Sequence, residues 1–410
     1  MKVLHVTPSF YPARHYGGTS YSGHALCKAL AEIPDIEIRV LTTDSDGPKL
    51  RQRMAIADLP MRLAKGYDVF YCRRLLGKAV SLSMMWRLWP MIRWADIVHL
   101  SAIYSSTTIP TLFLCKLLDK PVVWSTHGAL QRWSGSTRRA TKRIWELICD
   151  SLCDPERILL HATSEEERNE TVRRITRAQA TVVPNGTDVP ELINGKKDEM
   201  KRPTLLYLGR LHPIKGIENL LHALTMTDRD VQLSICGDGE SSYRKSLEML
   251  CDRLQIAERV TFYGLVEASE RERHFQNSDL CVVPSHKEAF CLVVSESLSY
   301  GVPVIVSRHT PWKNVDAIGC GLCVDNDPVT LSKAIENALK MPLTEMGQRG
   351  REWILCEYSW GSVAQRIATH YKDLISYPLK IDRSQQPTIL DCSVNQASEN
   401  CVNSKIASAS

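Results

Sequence analysis

Short apolar segments rich in β-branched residues alternate with amphipathic segments along most of this 410-residue chain. In the first half the candidate strands are VLHVTP, EIRVLTT, YDVFYC, DIVHL, PVVWST, RILLHAT and ATVVP. In the second half they are TLLYLG, VQLSICG, VTFYG, LCVVPS, PVIVS and GLCV. Helical segments such as YSGHALCKALAEI and SSYRKSLEMLCDRLQ separate them. Because strands that alternate with helices form parallel sheets, the pattern predicts an α/β protein.

The length of the chain and one polar segment divide it into two predicted domains. We expect a Rossmann-like domain over 1–188, a linker over 189–202 and a second Rossmann-like domain over 203–358. A helix over 359–376 is expected to pack back on the first domain. The polar residues 377–410, rich in Ser and Asn, are expected to form a disordered tail. Two such parallel sheets are expected to face each other across a cleft at the carboxyl ends of their strands.

Composition excludes several classes of protein. Hydrophobic residues make up 44% and charged residues 24% of the chain, which is ordinary for a soluble globular protein. The fourteen cysteines lack the paired spacing of a zinc site, so we interpret them as reduced thiols and expect no metal. The chain has no recognisable N-terminal signal and no apolar run of about 18 residues. A cytoplasmic protein is expected, with contact on the cytosolic face of a membrane as an option.

Positive charge is concentrated in the first half of the chain. Residues 1–185 hold 26 Lys and Arg against 17 Asp and Glu, whereas the whole chain carries a net charge of +5. Nucleic acid is not expected as a partner, because aromatic residues do not recur along the Arg-rich segments as a base-stacking surface requires. An anionic membrane or a phosphate-bearing acceptor fits the charge better.

Two segments of this basic half combine features of a membrane surface. SLSMMWRLWPMIRW contains Trp86, Trp89 and Trp94 with Arg87 and Arg93. A second basic cluster follows, formed by Arg132, Arg138, Arg139, Lys142 and Arg143. Tryptophans beside cations favour peripheral contact with anionic lipid. The alternative is that Met85, Trp86, Trp89 and Ile92, which recur at helical spacing, pack into the core.

Charged residues and glycines follow three of the candidate strands. Glu288 and Glu296 flank the start of a short predicted helix, whose free N–H groups suit a diphosphate. Arg210 and Lys215 follow TLLYLG and are placed to neutralise phosphate charge. The pair Gly17 and Gly18 follows VLHVTP, where small residues let backbone N–H groups approach an anion. Each feature alone also occurs on ordinary surfaces.

In this order the motifs resemble those of the retaining glycosyltransferases of family 4, which have the GT-B fold. The resemblance uses Gly17-Gly18, His127-Gly128, Arg210 with Lys215, and Glu288 with Glu296, two acids separated by seven residues. VVPNGTD at the domain junction and HTPW near residue 310 are also similar to the family. The resemblance covers about residues 1–375. It implies that the first domain binds the acceptor and the second binds a nucleotide sugar.

The resemblance also implies roles for individual residues. His127 and Glu288 are the expected catalytic residues at the donor sugar, and Glu296 is expected to accept hydrogen bonds from the ribose. The other expected donor-binding residues are Gly17, Gly18, Arg210, Lys215, Gly237, Phe290, Cys291 and Leu292. Gly237, in ICGDGE, looks like a turn close to the nucleotide. One position departs from the family, because Cys291 stands where the family usually has glycine, and a positive φ there would strain a cysteine.

The expected function is therefore transfer of a sugar, with retention, from a UDP- or GDP-type donor to a glycan or lipid-linked acceptor. Surface or exopolysaccharide synthesis is the expected setting, and no metal or other cofactor is required because cations already face the diphosphate. An inactive sugar-nucleotide or glycan-binding protein of the same fold is the alternative. A dinucleotide-dependent oxidoreductase is disfavoured, because no G-x-G-x-x-G follows the first strand.

Overall fold

The structure is a computed structural model that describes residues 1–13, 18–47, 52–54, 60–64, 67–77, 79–131, 139–191, 202–227, 230–288 and 290–376. The chain forms two compact units. The first unit contains Met1–Gly186 together with the segment from Trp360 onward, and the second contains Thr187–Ser359. The predicted tail, 377–410, lies outside the described residues, as do residues 192–201 of the predicted linker.

The described part of the first unit contains an eight-stranded sheet in the order β3-β4-β2-β1-β5-β6-β7-β8. Its strands are β1 (Lys2–Val6), β2 (Glu37–Thr43), β3 (Pro60–Ala64), β4 (Tyr67–Cys72), β5 (Ile97–Ser101), β6 (Val122–Ser125), β7 (Ile158–Ala162) and β8 (Gln179–Val182). All neighbouring strands pair in parallel except β3, which pairs antiparallel to β4 at the edge. The strand order reverses beside β1, which places β2 on one side of it and β5 on the other.

Helices cover both faces of this sheet. The helices that precede the second unit are α1 (Gly18–Ala31), α2 (Leu82–Trp94), α3 (Thr108–Leu117), α4 (Arg139–Leu152) and α5 (Glu165–Val172). Along β1 the pleat sends Leu4 into a core shared with α2, α3 and α4, while Val3 faces a second core that contains α1. Strands buried on both faces are continuously apolar, which explains why their sequences lack alternation.

The second unit contains a parallel sheet in the order β11-β10-β9-β12-β13-β14. Its strands are β9 (Thr204–Leu208), β10 (Gln232–Cys236), β11 (Val260–Gly264), β12 (Leu280–Val283), β13 (Val304–Ser307) and β14 (Gly321–Val324). Its helices are α6 (Ile217–Thr225), α7 (Ser241–Arg253), α8 (Ala268–Gln276), α9 (Leu292–Ser299), α10 (Val315–Ile318), α11 (Pro328–Ala338) and α12 (Leu343–Glu357). The strand order reverses between β9 and β12, the position at which open α/β sheets bind ligands.

The last described helix, α13 (Trp360–Ser376), belongs to the first unit although it follows the second unit in sequence. It packs with α1, and its residues Val363, Ile367 and Tyr371 are buried in the second core of that unit. At its start, a Cβ atom on Gly186 would lie 2.3 Å from the ring of Trp360. The indole therefore requires glycine at the point where the chain leaves the first unit.

The predicted α/β fold with two Rossmann-like sheets is confirmed. Every strand named from the sequence is present, and the structure adds β3, whose sequence PMRLA gave no apolar run. Proline at its first position suits an edge strand, where a missing N–H breaks no ladder. Ten cysteines of the described residues are buried, consistent with their use as small apolar side chains. Within the described part of the chain, no helix has the length and apolar character needed to cross a bilayer.

Candidate active site

Arg210 and Lys215 lie just beyond the carboxyl end of β9, at the reversal of strand order in the second unit. Arg210 is exposed. A short 3₁₀ helix, Pro213–Lys215, follows and ends at Gly216, whose φ is 65°. A Cβ atom on Gly216 would lie 2.1 Å from the carbonyl oxygen of Pro284, so the turn packs directly on the segment after β12. This contact brings the chain that carries Lys215 to the segment that carries Glu288.

Lys215 and Glu288 form an ion pair through Nζ and Oε1. The hydroxyl of Ser285 also donates a hydrogen bond to Glu288 Oε1, at 2.7 Å. The two side chains of the pair are only 21% and 10% exposed, so solvent screens their attraction less than it screens a surface pair. The structure thus brings together two of the residues predicted from the sequence, one acid and one cation.

Gly237 allows the loops that follow neighbouring strands of the second unit to pack closely against one another. Its N–H donates to the carbonyl of Gly264 at 2.7 Å, and the N–H of Gly209 donates to the carbonyl of Cys236 at 2.9 Å. A Cβ atom on Gly237, whose φ is 148°, would lie 1.8 Å from the carbonyl oxygen of Gly209. The close approach predicted at Gly237 is therefore to the backbone that leads into Arg210.

Cys291 caps the N-terminus of α9 with φ 70° and ψ 72°, in the left-handed region. The position therefore has the positive φ that glycine adopts without strain, and a cysteine occupies it. The preceding residue, Phe290, is buried against Trp312, and its carbonyl accepts a hydrogen bond of 2.5 Å from the Trp312 indole. Burial first, and then the charge of Glu288, raise the pKa of the Cys291 thiol well above its ordinary value.

Leu292 is the first residue of α9, and Glu296 lies one turn further along the same helix. The Glu296 carboxylate accepts a hydrogen bond from Nη2 of Arg271, on α8, in a second ion pair. Arg271 was not among the residues predicted from the sequence. Each of the two predicted acids therefore has a cation of its own, Lys215 for Glu288 and Arg271 for Glu296.

His127 follows β6 in the first unit, where it has φ 50° and Gly128 has φ 72°. Two successive left-handed residues make a sharp turn that the chain does not favour on its own. Glu167 holds this turn from α5, because its carboxylate accepts hydrogen bonds from the N–H of Gly128 and from the hydroxyl of Thr126. The N–H and hydroxyl of Thr163 also donate to this carboxylate, at 2.8 and 2.6 Å.

Glu167 is fully buried and was missed at the sequence level. Its segment, Ser164-Glu-Glu-Glu167, has the S-x-x-E spacing of a helix capping box, and Ser164 does cap α5 by accepting the Glu167 N–H. The Glu167 carboxylate instead accepts hydrogen bonds from Thr163, just before the helix, and from Thr126 and Gly128 at the His127 turn. Burial alone would raise the pKa of Glu167, but hydrogen bonds from Thr163 and Gly128 keep it below its ordinary value.

A chain of polar side chains supports His127 from the other side. Its Nε2 is hydrogen-bonded to the Ser101 hydroxyl at 3.3 Å, and that hydroxyl is 3.0 Å from Nε2 of His5. Nδ1 of His5 in turn lies 3.5 Å from the thiol of Cys27. Burial lowers the pKa of His127, while the charge of Glu167 acts in the opposite direction. The ring is therefore held by Ser101, while Glu167 holds the backbone turn that carries it.

A second chain of buried histidines runs beside the first. The carbonyl of Val183 accepts from Nε2 of His161 at 2.7 Å, so Nδ1 of His161 is the acceptor for the Ser125 hydroxyl at 2.6 Å. Ser125 then accepts from Nε2 of His99 at 2.7 Å, and Tyr371 donates to Nδ1 of His99. In this arrangement each N–H or O–H donor has one acceptor. Nδ1 of each histidine acts as an acceptor and therefore carries no proton, so both rings are neutral. Burial accordingly lowers the pKa of His161 to about 4 and that of His99 well below its ordinary value.

Gly17 lies outside the described residues, and Gly18 is the first residue of α1. Gly18 and His127 belong to the first unit, and the other described candidates belong to the second. In the residues that the structure describes, no group of three His, Cys, Asp or Glu side chains is arranged to hold a metal ion.

Comparison with sequence families gives two matches that together run from residue 16 to residue 353. Residues 16–191 match the profile of Glycosyltransferase Family 4, and residues 188–353 match Glycosyl transferases group 1. The chain belongs to the family 4 glycosyltransferases. It is thus a glycosyltransferase of GT-B type, and the resemblance identified from its motifs is confirmed.

Two named relatives of this glycosyltransferase act on inositol-containing compounds. It is 29% identical over 309 residues to D-inositol 3-phosphate glycosyltransferase of Corynebacterium diphtheriae, a match that covers 68% of this chain and 70% of that one. It is 32% identical over 183 residues to GDP-mannose-dependent alpha-(1-6)-phosphatidylinositol monomannoside mannosyltransferase of Mycobacterium tuberculosis. That second match covers 41% of this chain and only 47% of the relative.

The fold is also similar to that of a solved Anabaena protein, HepE, in complex with UDP. The TM-score is 0.65 at 17% sequence identity, and the match covers 91% of this chain and all of the other, 100%. At this identity the likeness establishes the fold.

The buried histidines predict an acid-sensitive first unit. His5 has its pKa lowered by burial to about 3 and His161 to about 4, so the unfolded chain binds protons first as pH falls below the ordinary value of 6.5. The contribution of these neutral histidines to stability should be fully present above pH 6.5. Below that pH the free energy of unfolding should fall by about 1.4 kcal/mol per pH unit for each such histidine. Urea unfolding between pH 5.5 and 7.5 measures this slope. Hydrogen exchange in peptides from β5 and β7 monitors the unfolding of the first unit.

His161→Gln should reduce the slope by about 1.4 kcal/mol per pH unit, the share of one histidine. The matched control is His309→Gln, because His309 is exposed in the second unit. An unchanged slope in His161→Gln would show that this ring is not buried neutral.

The left-handed cap predicts unequal effects at Cys291. Cys291→Val should destabilise the second unit by about 1–2 kcal/mol, because a β-branched residue is disfavoured at positive φ. Cys291→Gly should change stability by no more than about 1 kcal/mol, since relief of strain offsets the greater freedom of the unfolded chain. Urea unfolding measures both, with Cys281→Val, in strand β12, as the matched control. Equal stability of the two valine variants would contradict the assignment of strain to Cys291.

Proposed function

We propose that this enzyme transfers a sugar, with retention of anomeric configuration, from a UDP- or GDP-type donor to a hydroxyl of a glycan or lipid-linked acceptor. The observation that supports this most directly is the pairing of Lys215 with Glu288 just beyond β9 and β12. The pair puts a cation for the diphosphate beside an acid for the sugar, at the end of the sheet where nucleotides bind. Arg210 follows the same strand β9.

The leaving diphosphate gains negative charge as the anomeric bond breaks, so the site must stabilise that charge. We assign this to Arg210, Lys215 and the free N–H groups at the start of α9, around Phe290, Cys291 and Leu292. The charges of Lys215 and Glu288 both act on the Cys291 thiol, which supports grouping the helix start with this pair. Because these groups supply positive charge, we propose that the transfer requires no metal ion.

The two acids have separate proposed roles. Glu288 is mostly buried and accepts from Lys215 and Ser285, which fixes its carboxylate for contact with the donor sugar. Glu296 is proposed to accept hydrogen bonds from the ribose hydroxyls, since a vicinal diol can donate twice to one carboxylate. His127, held by Ser101 and by the turn that Glu167 supports, is proposed to contact the sugar or the acceptor hydroxyl.

The acceptor is proposed to carry phosphate or a lipid, as in surface polysaccharide synthesis. The relatives named for inositol 3-phosphate and for phosphatidylinositol monomannoside support this class. The excess of Lys and Arg in residues 1–185 supports it as well.

Three neighbouring helices of the first unit form a surface that fits an anionic membrane. The apolar-basic face is defined by exposed large apolar side chains on α2, α3 and α4, namely Leu82, Trp86, Trp89, Phe113, Leu117, Ile144, Leu147 and Ile148. Trp86 is 82% exposed, so the alternative that it packs into the core is wrong. Arg93, Lys116, Arg139 and Arg143 are exposed on the same three helices. Large apolar groups interleaved with cations are typical of helices that lie on anionic lipid.

Not every residue of the tryptophan-rich segment belongs to this face. Trp94 is half-buried, with the guanidinium of Arg39 4.0 Å from its ring centroid. Met84, Leu88, Met91 and Ile92 of the same helix are buried in the core. Arg132 and Arg138 of the predicted basic cluster lie outside the described residues. We therefore restrict the proposed membrane contact to the apolar-basic face.

Substitutions at the donor site test the proposed function. Arg210→Ala and Lys215→Ala should each lower turnover about a hundredfold, because each removes charge that stabilises the leaving diphosphate. Glu296→Gln should mainly raise the KM for the donor, whereas Glu288→Gln should mainly lower kcat. Transfer and hydrolysis of UDP- and GDP-sugars are measured with and without excess chelator. Activity should survive the chelator.

Arg253 is an exposed residue at the end of α7, so Arg253→Ala is the matched control and should have normal kinetics. Normal turnover in both cation variants would overturn the site. Donor binding without any turnover in the unsubstituted protein would favour the inactive binding protein instead. Loss of activity with chelator, restored by Mg²⁺ or Mn²⁺, would contradict the metal-independent mechanism.

The apolar-basic face predicts binding to vesicles that contain phosphatidylserine. Binding should require anionic lipid, weaken with salt and fall sharply when Arg139, Lys142 and Arg143 are replaced together by Gln, since each cation contributes about 1 kcal/mol. Trp86→Ala should weaken binding further by removing an interfacial ring. Co-sedimentation measures these effects, and the matched control replaces Lys245 and Arg253 of the second unit by Gln. Equal, trivial binding to neutral and anionic vesicles would rule out this contact.

A further inference from the structure

The ion pair between Arg271 and Glu296 joins two helices of the second unit. Arg271 lies on α8, and its Nη2 donates to Oε2 of Glu296 on α9. The pair is monodentate, because a single guanidinium nitrogen contacts a single carboxylate oxygen. Within the described residues, no protein donor is recorded on the other oxygen, Oε1. One side of the carboxylate is thus fixed by the protein, and the other remains available to a ligand.

Arg271 retains hydrogen-bonding capacity beyond this contact. A guanidinium carries five N–H donors in a fixed plane. Nε of Arg271 is buried and has no acceptor in the described part of the chain. Such an unpaired buried donor costs free energy, which the ion pair with Glu296 helps to offset.

The charge of Arg271 lowers the pKa of Glu296, whereas the other influences around that carboxyl raise it. Burial raises the pKa of the Glu296 carboxyl, and the negative charge of Asp188 acts in the same direction. Tyr300 and Cys281 also face this carboxyl, and both remain neutral because burial raises their own pKa values. Arg271 lowers the pKa of Glu296 both by its charge and by its hydrogen bond. Without Arg271, Glu296 would be a half-buried acid with Asp188 as the charged group acting on it.

We propose that Arg271 is a positioning residue, which holds Glu296 ionised and oriented so that Oε1 accepts from the ribose hydroxyls of the donor. This inference rests on the proposed function, because it assumes that a nucleoside diphosphate binds beside α9. A protonated carboxyl offers fewer acceptor sites to a diol than a carboxylate does. Loss of Arg271 therefore weakens the recognition of ribose, and weakens it more as pH falls.

Equilibrium binding of UDP, GDP and their 2′-deoxy analogues between pH 5.5 and 8 tests the inference. The unsubstituted protein should prefer the ribonucleotide, with a weak dependence on pH. Arg271→Gln should bind that ribonucleotide about tenfold more weakly at pH 7, with a loss that grows toward pH 5.5. Its preference for ribose over deoxyribose should fall. Arg271→Lys retains a positive charge, and should restore most of the pH profile.

Two controls separate the effect from a general loss of structure. Arg273→Gln removes an exposed arginine two residues further along α8 and should leave binding unchanged. In a Glu296→Gln background, Arg271→Gln should add no further pH dependence, because the titrating carboxyl is gone. Thermal melting of each variant reports whether it folds.

The outcomes are distinct. Equal affinity and an equal pH profile in Arg271→Gln would overturn the inference and leave the proposed function intact. Equal losses for ribo- and deoxyribonucleotides at every pH would also overturn it, because a merely structural role predicts that pattern. If Arg271→Gln does not fold, Arg271→Lys decides. A pH profile close to that of the unsubstituted protein supports the inference, whereas a changed pH profile with the positive charge retained overturns it. No nucleotide binding by the unsubstituted protein would overturn the proposed function as well.

Discussion

The ion pair between Lys215 and Glu288 is the interaction on which the proposed donor site depends, because it determines how an acid can lie beside the diphosphate of the proposed donor. A carboxylate alone at this position would repel the donor and would be costly to keep ionised when only 10% exposed. Paired with Lys215, it stays charged without presenting net negative charge. The same arrangement recurs at Glu296 with Arg271. Each of the two acids thus has its own cation, and in the proposed donor site Lys215 acts on the diphosphate together with Arg210 and the start of α9.

This balance depends on turns that only a few residues can form. Gly216 and Gly237 let strand-end loops pack backbone against backbone, and Cys291 accepts a left-handed conformation so that α9 can begin where it does. In the first unit His127 and Gly128 make a comparable turn, and the buried Glu167 stabilises it. Each unit thus has a non-glycine candidate residue held in the left-handed region, His127 in the first unit and Cys291 in the second.

Most of the fold could be predicted because its strands are buried on both faces and are continuously apolar. The edge strand β3 escaped prediction because PMRLA has no β-branched residue, includes the charged Arg62 and begins with proline. At the site, Lys215, Glu288 and Glu296 were predicted from short motifs at strand ends. Glu167 and Arg271 were not, because their partners are distant in sequence and their own segments look like an ordinary helix cap and an ordinary charged helix. Long-range pairing of that kind leaves no local pattern.

The return of α13 to the first unit also constrains how the protein is made. Because α13 supplies Val363, Ile367 and Tyr371 to the core of the first unit, that core is incomplete until residue 376 has been synthesised. Domains usually fold as units in order of synthesis, the N-terminal one first. Here the second unit is the one whose chain is finished first, and it can fold on the ribosome while the α13 site beside α1 is still empty. A nascent chain of this protein therefore exposes that apolar surface for the whole time needed to translate Thr187–Ser359.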